Sequence, residues 1–167
     1  MGSRTLVPVD EYIATNYDPD YDYVDGELVD RNVGEKDHSK VQVRLIALLF
    51  NQRTALGIHV FPEQRVRLRL TRFRVPDVCV VVGDEPEEQV FTAPPFLCIE
   101  ILSPEDRASR VHEKLADYLA FGVPYVWVID PRQRRAYIYT KSCMHEAKEV
   151  LETADPIIRV SLPDILG

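Results

Sequence analysis

Two acids stand in segments that otherwise read as buried strands. In "RVPDVCVVVGD", residues 74–84, Asp77 opens an apolar run, and in "PPFLCIEILSPEDR", residues 94–107, Glu100 interrupts one. Side chains alternate across a strand, so Asp77 shares a face with Cys79 and Val81, and Glu100 with Cys98 and Leu102. An ionised carboxylate in such surroundings costs several kcal/mol unless a cation, a set of donors or a raised pKa offsets it. On adjacent strands the two would also repel one another. A divalent ion relieves both problems, because hard cations such as Mg²⁺ take carboxylate oxygen and fill their shell with water. A third residue joins them: at about 100° per helical residue, Lys114 lies on the flank of an apolar stripe beside Val111 and Tyr118, from where it can reach along the sheet. An aspartate, a glutamate twenty-three positions later and a lysine form the set that metal-assisted phosphodiester cleavage needs. The carboxylates hold the ion, the ion activates a water, and the lysine steadies charge on the phosphate or orients the nucleophile. The competing reading is structural: strand-end acids cap helices or pair with arginines, here Arg74 or Arg107.

The elements that must position these residues follow from periodicity. Residues 8–17 suit a short helix, and "YDYVDGELVDR" a hairpin turning at Asp25-Gly26, a pair suited to positive φ. Val41, Leu45, Leu48 and Leu49 predict a helix over about 38–55, stopped by Gly57. In "EQRVRLRLTR" the alternation predicts a strand with Val66, Leu68 and Leu70 on one face and Arg65, Arg67 and Arg69 on the other. Residues 75–82 and 96–102 are apolar on both faces, as strands in the middle of a covered sheet are. A second helix spans 107–121, with Val111, Leu115, Tyr118 and Leu119 as its stripe and Gly122 at its end. "PYVWVIDPRQRRAYIYT" makes two strands around the turn at Asp130–Gln133, with Trp127 as core. Residues 146–151 suit either strand or helix, and "IIRVSL" an edge strand. The expectation is a single α/β domain over 1–167, with a central mixed β-sheet flanked by helices and an N-terminal β-hairpin.

Bulk composition narrows the setting. No apolar run nears the ~20 residues of a membrane span, and "MGSRTLVPVDEY" lacks the apolar stretch of a signal peptide, so no membrane partner and a cytoplasmic location are expected. Cys79, Cys98 and Cys143 are odd in number and form no CxxC pair, which fits a reducing compartment and not a zinc cage. A net charge of −7 opposes the long-range attraction most nucleic-acid binders exploit. Positive charge is concentrated in Arg65, Arg67, Arg69, Arg72 and Arg74, of which the first three share a strand face and could track a phosphate backbone or blunt a sheet edge against aggregation.

The order of motifs carries a resemblance. "RVPDVCVVVGDE", "APPFLCIEILSPEDR" and "EKLADYLAFGVPYVWVIDPRQRRAYIY", preceded by "YDYVDGELV" and by His38 opening a helix, resemble the Uma-type restriction endonucleases, a branch of the PD-(D/E)xK nuclease superfamily. The likeness runs from about Glu11 to Leu166. It implies a restriction-endonuclease-like fold with Asp77 and Glu100 as metal ligands, and with the backbone carbonyl of Ile101 completing the shell. The superfamily lysine usually stands two positions after the glutamate, where this chain has Leu102; in this branch it comes from the following helix, which matches Lys114. Branch members commonly read Y-E-L where this chain has Tyr21-Asp22-Tyr23, while Glu27 of D-G-E is retained.

Secondary candidates each have a plain alternative. Glu27 is a further ligand or water-orienting acid, or else an exposed strand acid. His38 contacts phosphate or metal, or is a surface residue at a helix start; Gln64 positions a water or phosphate, or is a satisfied strand-end amide. Arg107, two turns before Lys114, is a phosphate contact or a solvated helix-start charge. Ser103 precedes Pro104 with no histidine nearby in sequence and is assigned no chemistry. The expected activity is therefore a Mg²⁺- or Mn²⁺-dependent endonuclease acting on nucleic acid, DNA ahead of RNA, with a homodimer as a partnership that would let two copies cut two strands. The alternative is an inactive nuclease-fold module that binds nucleic acid or protein.

Overall fold

Asp25 and Gly26 both adopt positive φ, 49° and 95°. They fold β1 (Asp22–Val24) back on β2 (Glu27–Val29) in the computed structural model, which describes residues 5–32 and 34–167. A Cβ on Gly26 would come within 3.2 Å of the Leu6 side chain, so close approach and backbone conformation both require glycine there. The short helix α1 (Val9–Ala14) precedes this ribbon, and the long helix α2 (Lys36–Leu56) follows it, ending at Gly57 in the left-handed conformation. Then come β3 (Ile58–Pro62), β4 (Val66–Arg69), β5 (Arg72–Arg74), β6 (Val78–Val82), β7 (Leu97–Ile101), α3 (Ala108–Phe121), β8 (Tyr125–Asp130) and β9 (Arg135–Tyr139). The chain closes with β10 (Met144–Ala147), β11 (Val150–Glu152), β12 (Arg159–Ser161) and α4 (Leu162–Leu166).

A six-stranded mixed sheet, ordered β10-β9-β8-β7-β6-β3, forms the centre, with β7 and β8 parallel and the other neighbours antiparallel. The two helices pack on opposite faces. Val41, Leu45 and Leu49 of α2 meet Val80, Leu97, Ile99 and Trp127 on one side; Leu115 and Tyr118 of α3 meet Cys79, Cys98 and Val126 on the other. Strands buried on both faces carry apolar residues at every position except where chemistry demands otherwise, which is why β6 and β7 lack alternation. Truncating Leu45→Ala, at a fully buried contact between α2 and the sheet, is expected to cost about 2–5 kcal/mol of stability. Urea unfolding checks this, and a midpoint unchanged from wild type would contradict the packing.

The expected central sheet, flanking helices and N-terminal hairpin are present, whereas the expectations for Leu70 and for "IIRVSL" need correction. The hairpin does not stand alone: β1 pairs with β5, and β5 with β4, giving a second, antiparallel sheet ordered β2-β1-β5-β4 over Tyr12, Tyr23 and Phe73. Leu70 does not join Val66 and Leu68 in an inward row. The β4–β5 register shifts between Arg67 and Arg69, the strand ends, and Leu70 is 77% exposed. Over 146–151, open between strand and helix in the sequence, β10 ends at Ala147, the chain bends and β11 begins at Val150, and "IIRVSL" pairs β12 with β11 as a separate ribbon beside α2 instead of edging the main sheet. The three cysteines are free thiols. Among the described residues no helix is long and apolar enough to cross a membrane.

Candidate active site

Pro76 and the start of β6 fix the first acid. The antiparallel register Val78↔Ile99 places Asp77, one residue earlier, across from Glu100 in β7. The Asp77 carboxylate closes this pairing: Oδ2 accepts the Ile101 N–H at 2.7 Å. Cys79 and Cys98, the paired neighbours of the two acids, share the face toward α3, as strict alternation predicts. Both acids are buried.

Glu100 is gripped from α3. Tyr118 donates its hydroxyl to Oε1 at 2.6 Å, and Lys114 its ammonium to Oε2 at 3.1 Å. Lys114 and Tyr118 are four residues apart, so they project from the same side of the helix. The question raised by Leu102 is thus answered: a lysine one element later in the chain reaches the glutamate. The same ammonium lies 3.4 Å from Oδ2 of Asp22, which is fully buried and also accepts the Val75 N–H at 2.8 Å. Arg74 stands behind them, donating to Asp22, Glu113 and Asp117, the last at 2.6 and 2.8 Å from two of its nitrogens.

Asp77 is held from the other side. Its Oδ1 accepts Arg31 Nη2 at 3.0 Å and lies 3.3 Å from His38 Nε2. Burial works to raise the Asp77 carboxyl, but the His38 hydrogen bond and the charges of His38, Arg31 and Lys114 hold it below the usual carboxylate range. Burial likewise opposes the charged form of His38, and Asp77 overcomes it, raising the imidazole. Glu100 differs. Burial, aided by the negative charges of Asp77 and Asp22 and only partly countered by Lys114, pushes it up to about 7. Lys114 is raised above the ordinary lysine value because the three acids outweigh its burial.

A cavity of about 280 Å³ opens onto Glu100 and Lys114, with Glu27, Arg31, Ile101 and Arg110 also in its wall, while Asp77 and His38 lie behind that wall. Of the expected site residues, Asp77, Glu100, Lys114 and His38 converge, while Glu27 and Ile101 line the cavity. Gln64 and Arg107 do not. The Gln64 amide donates to the carbonyls of Arg65 and Gln89 in a separate cleft, the satisfied strand-end amide of its plainer reading. Arg107 is the exposed cap residue of α3, and Arg110, one turn on, faces the cavity in its place. Arg65 is also engaged, with both Asp20 oxygens and the carbonyls of Tyr12 and Thr15. Neither Arg74 nor Arg107 partners the two acids; the guanidinium at Asp77 is that of Arg31. Asp22, Arg31 and Tyr118 are the site residues that sequence reasoning did not pick. A helical i, i+4 relation to Lys114 could have found Tyr118, and the acid position of the Tyr21-Asp22-Tyr23 segment could have found Asp22. Arg31 lies outside any regular element and carries no periodic signal.

The donor set suits a hard cation. Among the described residues no group of three or more His, Cys, Asp or Glu side chains is arranged to hold a metal. What the site offers is two cross-strand carboxylates beside the Ile101 peptide, Glu100 lining the cavity and Asp77 behind it with its oxygens accepting from Arg31 and the Ile101 N–H, an all-oxygen set of the kind hard cations take. The raised Glu100 carboxyl reflects its burial first, and the nearby charges of Asp77 and Asp22 second.

The family model Uma2, described as putative restriction endonuclease, matches residues 9–165. A crystal structure of a putative nuclease belonging to DUF820 from Anabaena variabilis superposes with a TM-score of 0.81, covering 95% of this chain and 98% of that one at 20% identity. At that identity the likeness establishes the fold. No curated protein matches the chain.

Proposed function

Since the chain belongs to the Uma2 family, described as putative restriction endonuclease, we propose that it is a divalent-metal-dependent endonuclease that hydrolyses phosphodiester bonds, with DNA as substrate. One observation carries the reading: Asp77 and Glu100 face each other across two buried strands, with the Lys114 ammonium 3.1 Å from Glu100. Asp77, Glu100 and the Ile101 carbonyl would hold Mg²⁺ or Mn²⁺, which when bound supplies an acidified water and neutralises charge on the scissile phosphate. The chain's own residues set the stage. Tyr118 and His38 fix the orientation of Glu100 and Asp77, as partners behind metal ligands do. Lys114 stays protonated between Glu100 and Asp22, so it serves as a positive charge beside the phosphate and not as a base. Glu27, in the cavity wall, would orient water, and Arg110, also in that wall, would meet a phosphate oxygen.

The test is cleavage together with metal binding. Plasmid or single-stranded DNA should be cut in Mg²⁺ or Mn²⁺ and left intact in EDTA, and calorimetry should show saturable Mn²⁺ binding to the wild type. Lys114→Ala should lower cleavage by about 10²-fold while still binding Mn²⁺, because it removes transition-state charge stabilisation and leaves the ligands. The rival, an inactive nuclease-fold binding module, draws support from the Arg31 ion pair already on Asp77 and from the net charge of −7. DNA binding by the wild type without saturable metal binding or cleavage would favour that rival over the enzyme.

A further inference from the structure

A second cavity, of about 570 Å³, adjoins the candidate active site and shares Leu102, Asp106 and Val111 with it. It lies where α3 stops covering the sheet: Val111 and His112 form one wall, Val128 of β8 the floor, and Tyr137 and Tyr139 of β9 the far side. Residues 135, 137 and 139 alternate onto the face toward α3, whereas Ala136 and Ile138 point into the opposite core. The row therefore presents one guanidinium and two half-buried rings, about 6.6 Å apart along the strand. Arg135 lies 5.4 Å from the Tyr137 ring centre and is tied to Glu146. Met144, the partner of Tyr139 on β10, extends the same open face.

We propose that this groove is a stacking subsite for unpaired nucleobases flanking the scissile phosphate, so that the substrate is a single strand or a locally unpaired one. The inference rests on the nuclease reading above. Base stacking on aromatic rings of a sheet face is a recurrent way to hold single strands, and it works without a dense phosphate clamp. That matters for a chain of net charge −7, which has little capacity to gain affinity by releasing counterions from a duplex. The local charges agree. The acids at the groove are already engaged, Asp106 by Asn32 and the Ser103 N–H, and Asp130 by the N–H groups of Arg132 and Gln133. Arg110 and Arg132 at its margins are exposed, and among the described residues no carboxylate is paired with them. Arg132 in the groove wall and Arg110 in the adjoining cavity thus offer a strand that lies over the tyrosines two exposed cations.

The experiment measures binding in EDTA, so that cleavage does not intervene, by fluorescence anisotropy of labelled oligothymidylate and of a duplex of equal length. Wild type should prefer the single strand, with a shallow dependence on salt. Tyr139→Ala and Tyr137→Ala should each weaken single-strand binding about tenfold or more, while Tyr139→Phe, which keeps the ring, should bind as wild type. Thermal melts establish that the variants are folded. Alanine variants that are folded and bind as tightly as wild type, or a phenylalanine variant as weak as alanine, would overturn the groove while leaving the nuclease reading intact. Sedimentation addresses the other occupant: loss of a dimer in Tyr139→Ala with unchanged oligonucleotide affinity would make this a self-association face and overturn the proposal. Wild type that neither binds nor cuts any nucleic acid overturns the nuclease reading, and the groove with it.

Discussion

Glu100→Gln is expected to reduce metal-dependent cleavage by about a thousandfold or more, the several kcal/mol that charge stabilisation by a bound ion contributes. The same substitution should leave the protein as stable as wild type, or more so, in EDTA near neutral pH. The reason lies in the opposed demands on one side chain. A carboxylate that binds a cation must be ionised, yet this one is buried beside Asp77 and Asp22 and is pushed up to about 7 from its ordinary 4.5. The glutamine amide keeps an oxygen for the Tyr118 hydroxyl, and Lys114 keeps Asp22. The sign of the pH dependence follows. The folded state holds the Glu100 proton more tightly than the unfolded chain, so this group's contribution to stability is greatest below about 4.5 and is lost as pH rises toward about 7. Wild type pays that loss and the glutamine variant does not. The melting temperature of the variant relative to wild type should therefore climb between about pH 5 and pH 7 in EDTA. A difference that is flat with pH would show Glu100 to be already compensated, and undiminished cleavage by the variant would remove Glu100 from the chemistry altogether.

Arg74→Met should be the most destabilising polar substitution in the molecule, at about 3–5 kcal/mol, because it removes the partner of buried acids and leaves their charge behind. Arg74 is buried and donates to Asp22, Asp117 and Glu113. Asp22 would retain only the Val75 N–H and Lys114, and Asp117 would retain Arg72. Against a typical total of roughly 5–15 kcal/mol, such a loss places the protein near its unfolding threshold. Urea titration should show a lower midpoint at unchanged slope, and adding Asp117→Asn to Arg74→Met should recover part of the loss by removing one orphaned charge. The effect extends to the site. Freed from Arg74, Asp22 competes harder for the Lys114 ammonium, so cleavage by the folded fraction should also fall. A loss under about 1 kcal/mol would mean that water reaches this cluster and that the ion pairs count as surface ones.

Much of this was legible in the chain itself. Buried strands have few ways to carry an acid, so Asp77 and Glu100 stand out from apolar surroundings, and alternation assigns each to a face before any contact is known. Helical periodicity does the same for Lys114, and Asp25-Gly26 fixes the hairpin because few residues tolerate its backbone. These are local rules, with periods of two and 3.6 residues, and they act within a single element. What they cannot supply is which elements meet. The sequence marked a row of arginines at 65, 67 and 69, but Arg65 is committed to Asp20, and a register shift breaks the row. The guanidinium at the candidate site comes instead from Arg31, in a segment without periodicity. Likewise the ladder from Glu100 through Lys114 and Asp22 to Arg74 joins β7, α3, β1 and β5, with partners up to about ninety residues apart along the chain. Ion pairing depends on distance through space, which only the packing of the two sheets against α3 sets. The two acids and the lysine were therefore written in the sequence, whereas their partners, and the open tyrosine face beside them, were decided by the tertiary structure.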